Sequence, residues 1–217
     1  MIKKYELLTN DTIEINGNTL YRIRALLDFV DVKAGDLGGY IQSEDNLSHE
    51  GDCWVYGNAT VCENARVYGN AHIYDNVWVY CNARVHGNAR VHEFASVAGN
   101  AEICGEAEIY GNARIIDIVE IYSNAQVYGD ACISGNIELG GNPYIKSNND
   151  FINIGPIGSR DDYTTFYRTK DKGIYVCCGC FNGSLEKFEK AVKERHEDNK
   201  YGIEYMKAIE MAKIKLV

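Results

Sequence analysis

From Val55 to Ile145 a branched aliphatic residue returns at every sixth position: Val55, Val61, Val67, Ile73, Val79, Val85, Val91, Val97, Ile103, Ile109, Ile115, Ile121, Val127, Ile133, Leu139 and Ile145. Four positions after most of them stands alanine, from Ala59 and Ala65 to Ala125 and Ala131, with Val77, Val119 and Ile137 as larger substitutes. Six fits neither the helical period of 3.6 nor a heptad. It is a multiple of two, so the aliphatic residue always returns to the same face of an extended strand. A fixed short repeat marks a solenoid, and this one predicts a parallel β-helix. Gly-Asn pairs such as Gly57-Asn58, Gly69-Asn70 and Gly87-Asn88 supply the residues that tolerate positive φ, which a chain needs if it is to bend at every hexad. Three hexads close a triangular coil, so the stretch gives about five coils and a prism roughly 24 Å tall at the usual strand spacing.

Strand-like alternation also runs through residues 5–8, 12–15 and 20–26, with Asn16-Gly17-Asn18 as a hairpin turn. Residues 1–42 therefore read as a β cap over the open top of the prism, where unpaired backbone would otherwise recruit another chain. The repeats occupy residues 43–147. Residues 148–217 read as a small α+β domain with three strands at 151–157, 163–169 and 173–181. Ser184 is the N-cap of a helix over 185–197, with Glu186–Lys190 and Glu189–Lys193 as favourable pairs. A second helix over 201–215 buries Tyr205, Ile209, Ala212 and Leu216.

The spacing of aliphatic and small residues is similar to the hexapeptide repeat of left-handed β-helix proteins. The segment from Asp28 to Ile41, followed by Asn46-Leu47-Ser48 and Gly51-Asp52-Cys53-Trp54-Val55, resembles the start of the YdcK-like hexapeptide-repeat proteins of bacteria and phages. The likeness covers roughly residues 20–140, and left-handed coiling is implied by it alone, because parallel crossovers otherwise turn to the right. It also implies a homo-oligomer, a trimer in particular. The stretch from Gly155 to Arg160 and on to Gly179-Cys180-Phe181 looks like a module of phage-encoded proteins, which implies a counter-defence role in the host cytoplasm.

No apolar run follows Lys3 and Lys4, and no window approaches a membrane span, so a cytoplasmic location is expected. A net charge of −9 argues against general nucleic-acid binding. None of Cys53, Cys62, Cys81, Cys104 and Cys132 has a cysteine one coil away, which suits free thiols in a reducing compartment. Cys178 and Cys180 share a strand face while Cys177 looks the other way. With His196 they fall short of four zinc ligands and read better as small core residues.

Stepping by one coil sorts the outward residues into three faces. The first carries a column of Tyr56, Tyr74, His92, Tyr110 and Tyr128 beside Trp54, His72, Arg90, Glu108 and Gln126. Aromatic enrichment suits an interface, although tyrosines also stack between rungs for strand packing alone. The second face offers Trp78, Tyr80, Ala98 and Ile116. The third sets Arg66 and Arg84 above Glu102, Glu120 and Glu138, a dipolar column suited to an antiparallel neighbour and otherwise a solvated face.

Two function classes compete. An acyl-CoA-dependent acyltransferase is suggested by the scaffold, but such enzymes carry a loop that leaves the prism and a catalytic histidine. Here the period never breaks, and His72, His86 and His92 do not converge. A non-enzymatic binding protein without a cofactor fits better. Its best candidate site is Gly158, Ser159, Arg160, Thr164, Thr165 and Arg168 with Lys170 and Lys172, where backbone amides and arginines would hold a small anionic, nucleotide-like ligand. The competing reading is a polar turn whose arginines are neutralised by Asp161 and Asp162. A host protein is the other expected partner.

Overall fold

The computed structural model describes residues 2–216, and it is a three-walled parallel β-solenoid closed at both ends. Wall one runs from Trp54–Val55 to Tyr144–Ile145, wall two from Thr60–Val61 to Cys132–Ile133, and wall three from Arg66–Val67 to Asn136–Leu139. Each residue pairs with the one eighteen positions on, as Val91 does with Ile109. The whole aliphatic column lies inside the prism at no more than 1% exposure, so the hexad register is the core.

Ile41 and Leu47 add a rung above Val55, pairing with Val61 and Val67 at a step of twenty. Two extra residues between Leu47 and Val55 hide this rung from a strict period of six, and the solenoid has about six turns rather than five. At every corner from Gly57 to Gly129 the second residue after the aliphatic one is left-handed, with φ between 58° and 72°. Glycine is needed where coils approach most closely: a Cβ on Gly99 would stand 2.5 Å from the Asp117 nitrogen. The asparagines that follow form side-chain ladders between coils, such as Asn64 to Asn82 at 3.1 Å and Asn82 to Asn100 at 3.0 Å.

At the upper end β1 (Tyr5–Ile15) pairs with β2 (Asn18–Ala25) across a two-residue turn whose Asn16 and Gly17 both have positive φ. β1 is one strand with an irregularity between Leu8 and Thr12, not two strands. β2 pairs with β3 (Leu37–Ile41), which runs parallel to the first strand of wall two. The hairpin thus extends a wall, and side chains close the mouth. Tyr5 donates to the Leu47 carbonyl at 2.6 Å, and Lys4, only 2% exposed, places its Nζ 2.8 Å from the Cys53 carbonyl.

Below the last coil stand four antiparallel strands, not three: β4 (Phe151–Ile157), β5 (Asp162–Arg168), β6 (Ile174–Cys178) and β7 (Phe181–Ser184). The run read as one third strand is split because Gly179, at φ 55°, turns the chain so that Cys178 pairs with Phe181. Helices α1 (Leu185–His196) and α2 (Lys200–Leu216) follow, and the Ser184 side chain accepts from the Lys187 amide as an N-cap. Tyr205, Ile209, Ala212 and Leu216 are buried as expected. Lys193 reaches Glu189 at 2.8 Å, whereas Lys190 pairs with Glu194 and not with Glu186.

The lower sheet closes the solenoid. Phe151, Tyr167 and Cys177 on one face join the solenoid core, while Phe166 and Val176 on the other pack against both helices. The Tyr167 hydroxyl donates to the Gly140 carbonyl at 2.7 Å. Among the described residues no helix is long and apolar enough to cross a membrane.

Candidate functional site

The six residues expected to form an anion site are not brought together. Thr164 and Thr165 are buried and point to opposite faces of β5, where Thr164 donates to Cys178 Sγ at 3.2 Å and Thr165 to Asn153 Oδ1 at 3.0 Å. The Gly158 amide is taken by a carboxylate of this chain, Glu204 Oε2, at 2.8 Å. Ser159 and Arg160 line a small cleft of about 110 Å³ with Tyr205, and Arg160 there donates to Cys180 Sγ at 3.5 Å. Arg168 stands at the other end of β5. Equal parity placed Arg160 and Arg168 on one face, but Gly158 and Asp161 turn the chain at positive φ before the strand begins.

Arg168 belongs instead to a groove of about 1230 Å³ between the last coil, the lower sheet and the helix ends. Tyr128 and Tyr144 of wall one form one side. The turn that leaves the solenoid supplies Lys146 and Ser147, held by Asp150 Oδ2, which accepts from both amides at 3.0 and 2.9 Å. The β5–β6 turn supplies Thr169, Lys170 and Lys172. Its shape is set by the Lys172 amide donating to the Thr169 carbonyl at 2.9 Å and by a left-handed Lys172. The end of α2 adds Lys213, and the start of α1 adds Glu186.

Five cationic side chains thus face two carboxylates, Asp150 and Glu186, in a chain of net charge −9. Lys213 is held 2.7 Å from Glu189, but Lys146, Lys170 and Lys172 have no ion-pair partner among the described residues. Arg168 Nε is buried without a hydrogen bond, 3.7 Å from Asp150 Oδ1. Nε itself is closed to a ligand, but the Arg168 side chain as a whole is 42% exposed. Burial, then the Tyr144 hydroxyl, holds the Tyr128 phenol above its ordinary pKa, so it stays a neutral ring and hydrogen-bond donor. The sequence reading missed Tyr144 and Lys146, at the end of the solenoid, and Lys213, near the end of α2, because these segments lie far from Arg168 along the chain.

The aromatic column is present but partly satisfied within the chain. Tyr56 stacks on Tyr74 at 4.6 Å, and His92, Tyr110 and Tyr128 follow at 5.0 Å spacings, all half-buried. Tyr56 donates to Asp31 at 2.8 Å, and His92 lies 3.3 Å from Glu108. Trp54, expected beside them on the surface, is 1% exposed, because the N-terminal segment covers it with Tyr5 and Phe29. On wall two Trp78 is open while Ala98 is buried.

No segment leaves the prism between Val55 and Ile145. His72 lies 2.8 Å from the Tyr74 hydroxyl and His86 the same distance from Glu102, so the three histidines belong to separate pairs. Cys177 and Cys178 point into different cores, and no metal-ligating cluster exists among the described residues.

A family model described as the YdcK β-solenoid repeat matches residues 65–81, about one coil, and that coil is similar to the repeats of this family. No curated protein matches the chain.

Proposed function

We propose that this chain is a binding protein that takes up an anionic, nucleotide-like ligand in the groove below the last coil and holds it without chemical change. The carrying observation is the local excess of cations: five against two carboxylates on one groove of an acidic protein. An anion is repelled by most of the surface and drawn to this patch. The exposed part of the Arg168 guanidinium suits a phosphate oxygen, and Lys146, Lys170 and Lys172 supply charge around it. Tyr128 is covered by Tyr110 and Tyr144 within the stack, and Tyr144 at its end offers the π-face against which a base can stack, a contact worth about 1–3 kcal/mol. Retention without turnover makes sequestration the role, and the counter-defence role implied by the C-terminal resemblance is one setting for it.

Calorimetric titration with inorganic phosphate and with mono-, di- and cyclic nucleotides tests the reading. The wild type is expected to bind at least one nucleotide more tightly than phosphate. Arg168→Ala is expected to weaken binding by about 1 kcal/mol, the upper end for a partly exposed ion pair. Arg160→Ala, in the separate cleft, leaves affinity unchanged. A wild type that binds none of these probes, or an Arg168→Ala variant that binds equally well, contradicts it.

A further inference from the structure

The outward column of wall three separates its charges in register. Everywhere except where Arg84 pairs with Glu102, like charges sit on adjacent rungs, Arg66 pairing directly with Arg84, and Glu102 with Glu120 and then Glu138. Such neighbours repel one another. Arg66, Arg84 and Glu120 are exposed and have no ion-pair partner among the described residues. Glu102 and Glu138 are held by His86 and Tyr122 of the parallel outward column, in which Cys104 lies between those two. A shallow recess of about 440 Å³ opens beside Arg66 and Arg84 against Asp45 and Ser48.

We infer that this wall is a self-association surface, occupied by a second copy of the chain running antiparallel about a two-fold axis level with Glu102. Rotation about an axis along the strands, in the plane of contact, keeps each column facing itself and inverts its order. Arg84 then meets Glu120 of the second copy, Arg66 meets Glu138, and Glu102 lies on the axis facing its counterpart, each Glu102 held 2.8 Å from the His86 of its own chain one rung above. The same operation sets His86 against the second copy's Tyr122 and brings the two half-exposed Cys104 thiols together. A parallel arrangement, including the threefold one implied by the family resemblance, would put Arg66 on Arg66. The contact is isologous, so each pairing occurs twice.

Its size sets its strength. Four rung steps span roughly 19 Å, so each copy contributes only a few hundred Å², at or below the low end for specific interfaces. The dimer is therefore weak, depends on concentration, and dissociates as salt screens the exposed pairs.

Sedimentation velocity over a concentration series at low salt tests it. The wild type is expected to shift from monomer to dimer, Arg84→Glu to remain monomeric, and the same-chain exchange Arg84→Glu/Glu120→Arg to restore the dimer. A contact shifted by one rung could not be rescued by that exchange. A short bis-maleimide is expected to trap a covalent dimer of the wild type and of the exchanged variant but not of Cys104→Ser. Melting curves confirm that each variant is folded, and the cross-link on unaltered protein does not depend on them. A wild type that stays monomeric across the series, a trimer, or failure of the charge exchange to restore association overturns the inference.

Discussion

Replacing Tyr167 by Phe removes one oxygen from the place where the lower sheet closes the solenoid. That hydroxyl donates to the Gly140 carbonyl at 2.7 Å, accepts from the Gly140 amide at 3.3 Å, and lies 3.1 Å from Cys177 Sγ. Tyr167 is fully buried, so water cannot take the vacated place without a new cavity. The ring remains, and the loss is the penalty for stranding the two Gly140 backbone groups, about 1–3 kcal/mol. For a chain of this length each kcal/mol lowers Tm by about 2–4 °C, so a fall of roughly 2–12 °C is expected. Guanidinium unfolding followed by two signals locates the effect. Both tryptophans, Trp54 and Trp78, report on the upper solenoid, whereas helical circular dichroism reports on the lower unit. If the sheet is the closure of one cooperative structure, Tyr167→Phe shifts both transitions equally. A shift of the helical signal alone, or no shift at all, refutes the coupling.

Val91→Asp places a charge at a core position that is 0% exposed and is expected to unfold the prism, whereas Gln126→Lys on the outer side changes Tm little; thermal unfolding of the two variants checks this. The Lys193 and Lys213 ammonium groups beside Glu189 hold its carboxyl down at about 2. Their stabilisation is complete above the ordinary value of 4.5 and is lost as pH falls toward 2. Because the lysines are largely solvated it amounts to no more than about 1 kcal/mol, and an acid titration of stability with Glu189→Gln should lack that step. Acetyl-CoA incubated with amine and sugar acceptors is expected to release thiol only at the background rate, and release that scales with protein concentration would favour acyl transfer over binding.

The solenoid was legible because one short rule is repeated at every coil: an aliphatic residue every sixth position, inward by strand parity, with a corner that accepts positive φ. Where the rule is interrupted, legibility ends. The rung of Ile41 and Leu47 was lost to a two-residue insertion, and β7 was lost because Gly179 was read as strand interior. Trp54 carries the parity of a surface residue, and only the path of the distant N-terminal segment makes it core. The candidate groove was legible at Arg168, Lys170 and Lys172, which share a turn. Lys146, Tyr144 and Lys213 reach it only through docking of the lower sheet on the last coil, a contact that depends on Tyr167 finding Gly140 and has no periodic signature.

Lysine-selective acylation, read by peptide mass spectrometry with and without a saturating nucleotide, tests whether the ligand sits in this groove. Lys146, Lys170, Lys172 and Lys213 line the groove, while Lys187 and Lys190 on α1 lie outside it and serve as controls within the same chain. Protection of the first group with unchanged labelling of the second is the predicted result, and equal labelling of all six lysines in the presence of a nucleotide shown to bind would contradict the account.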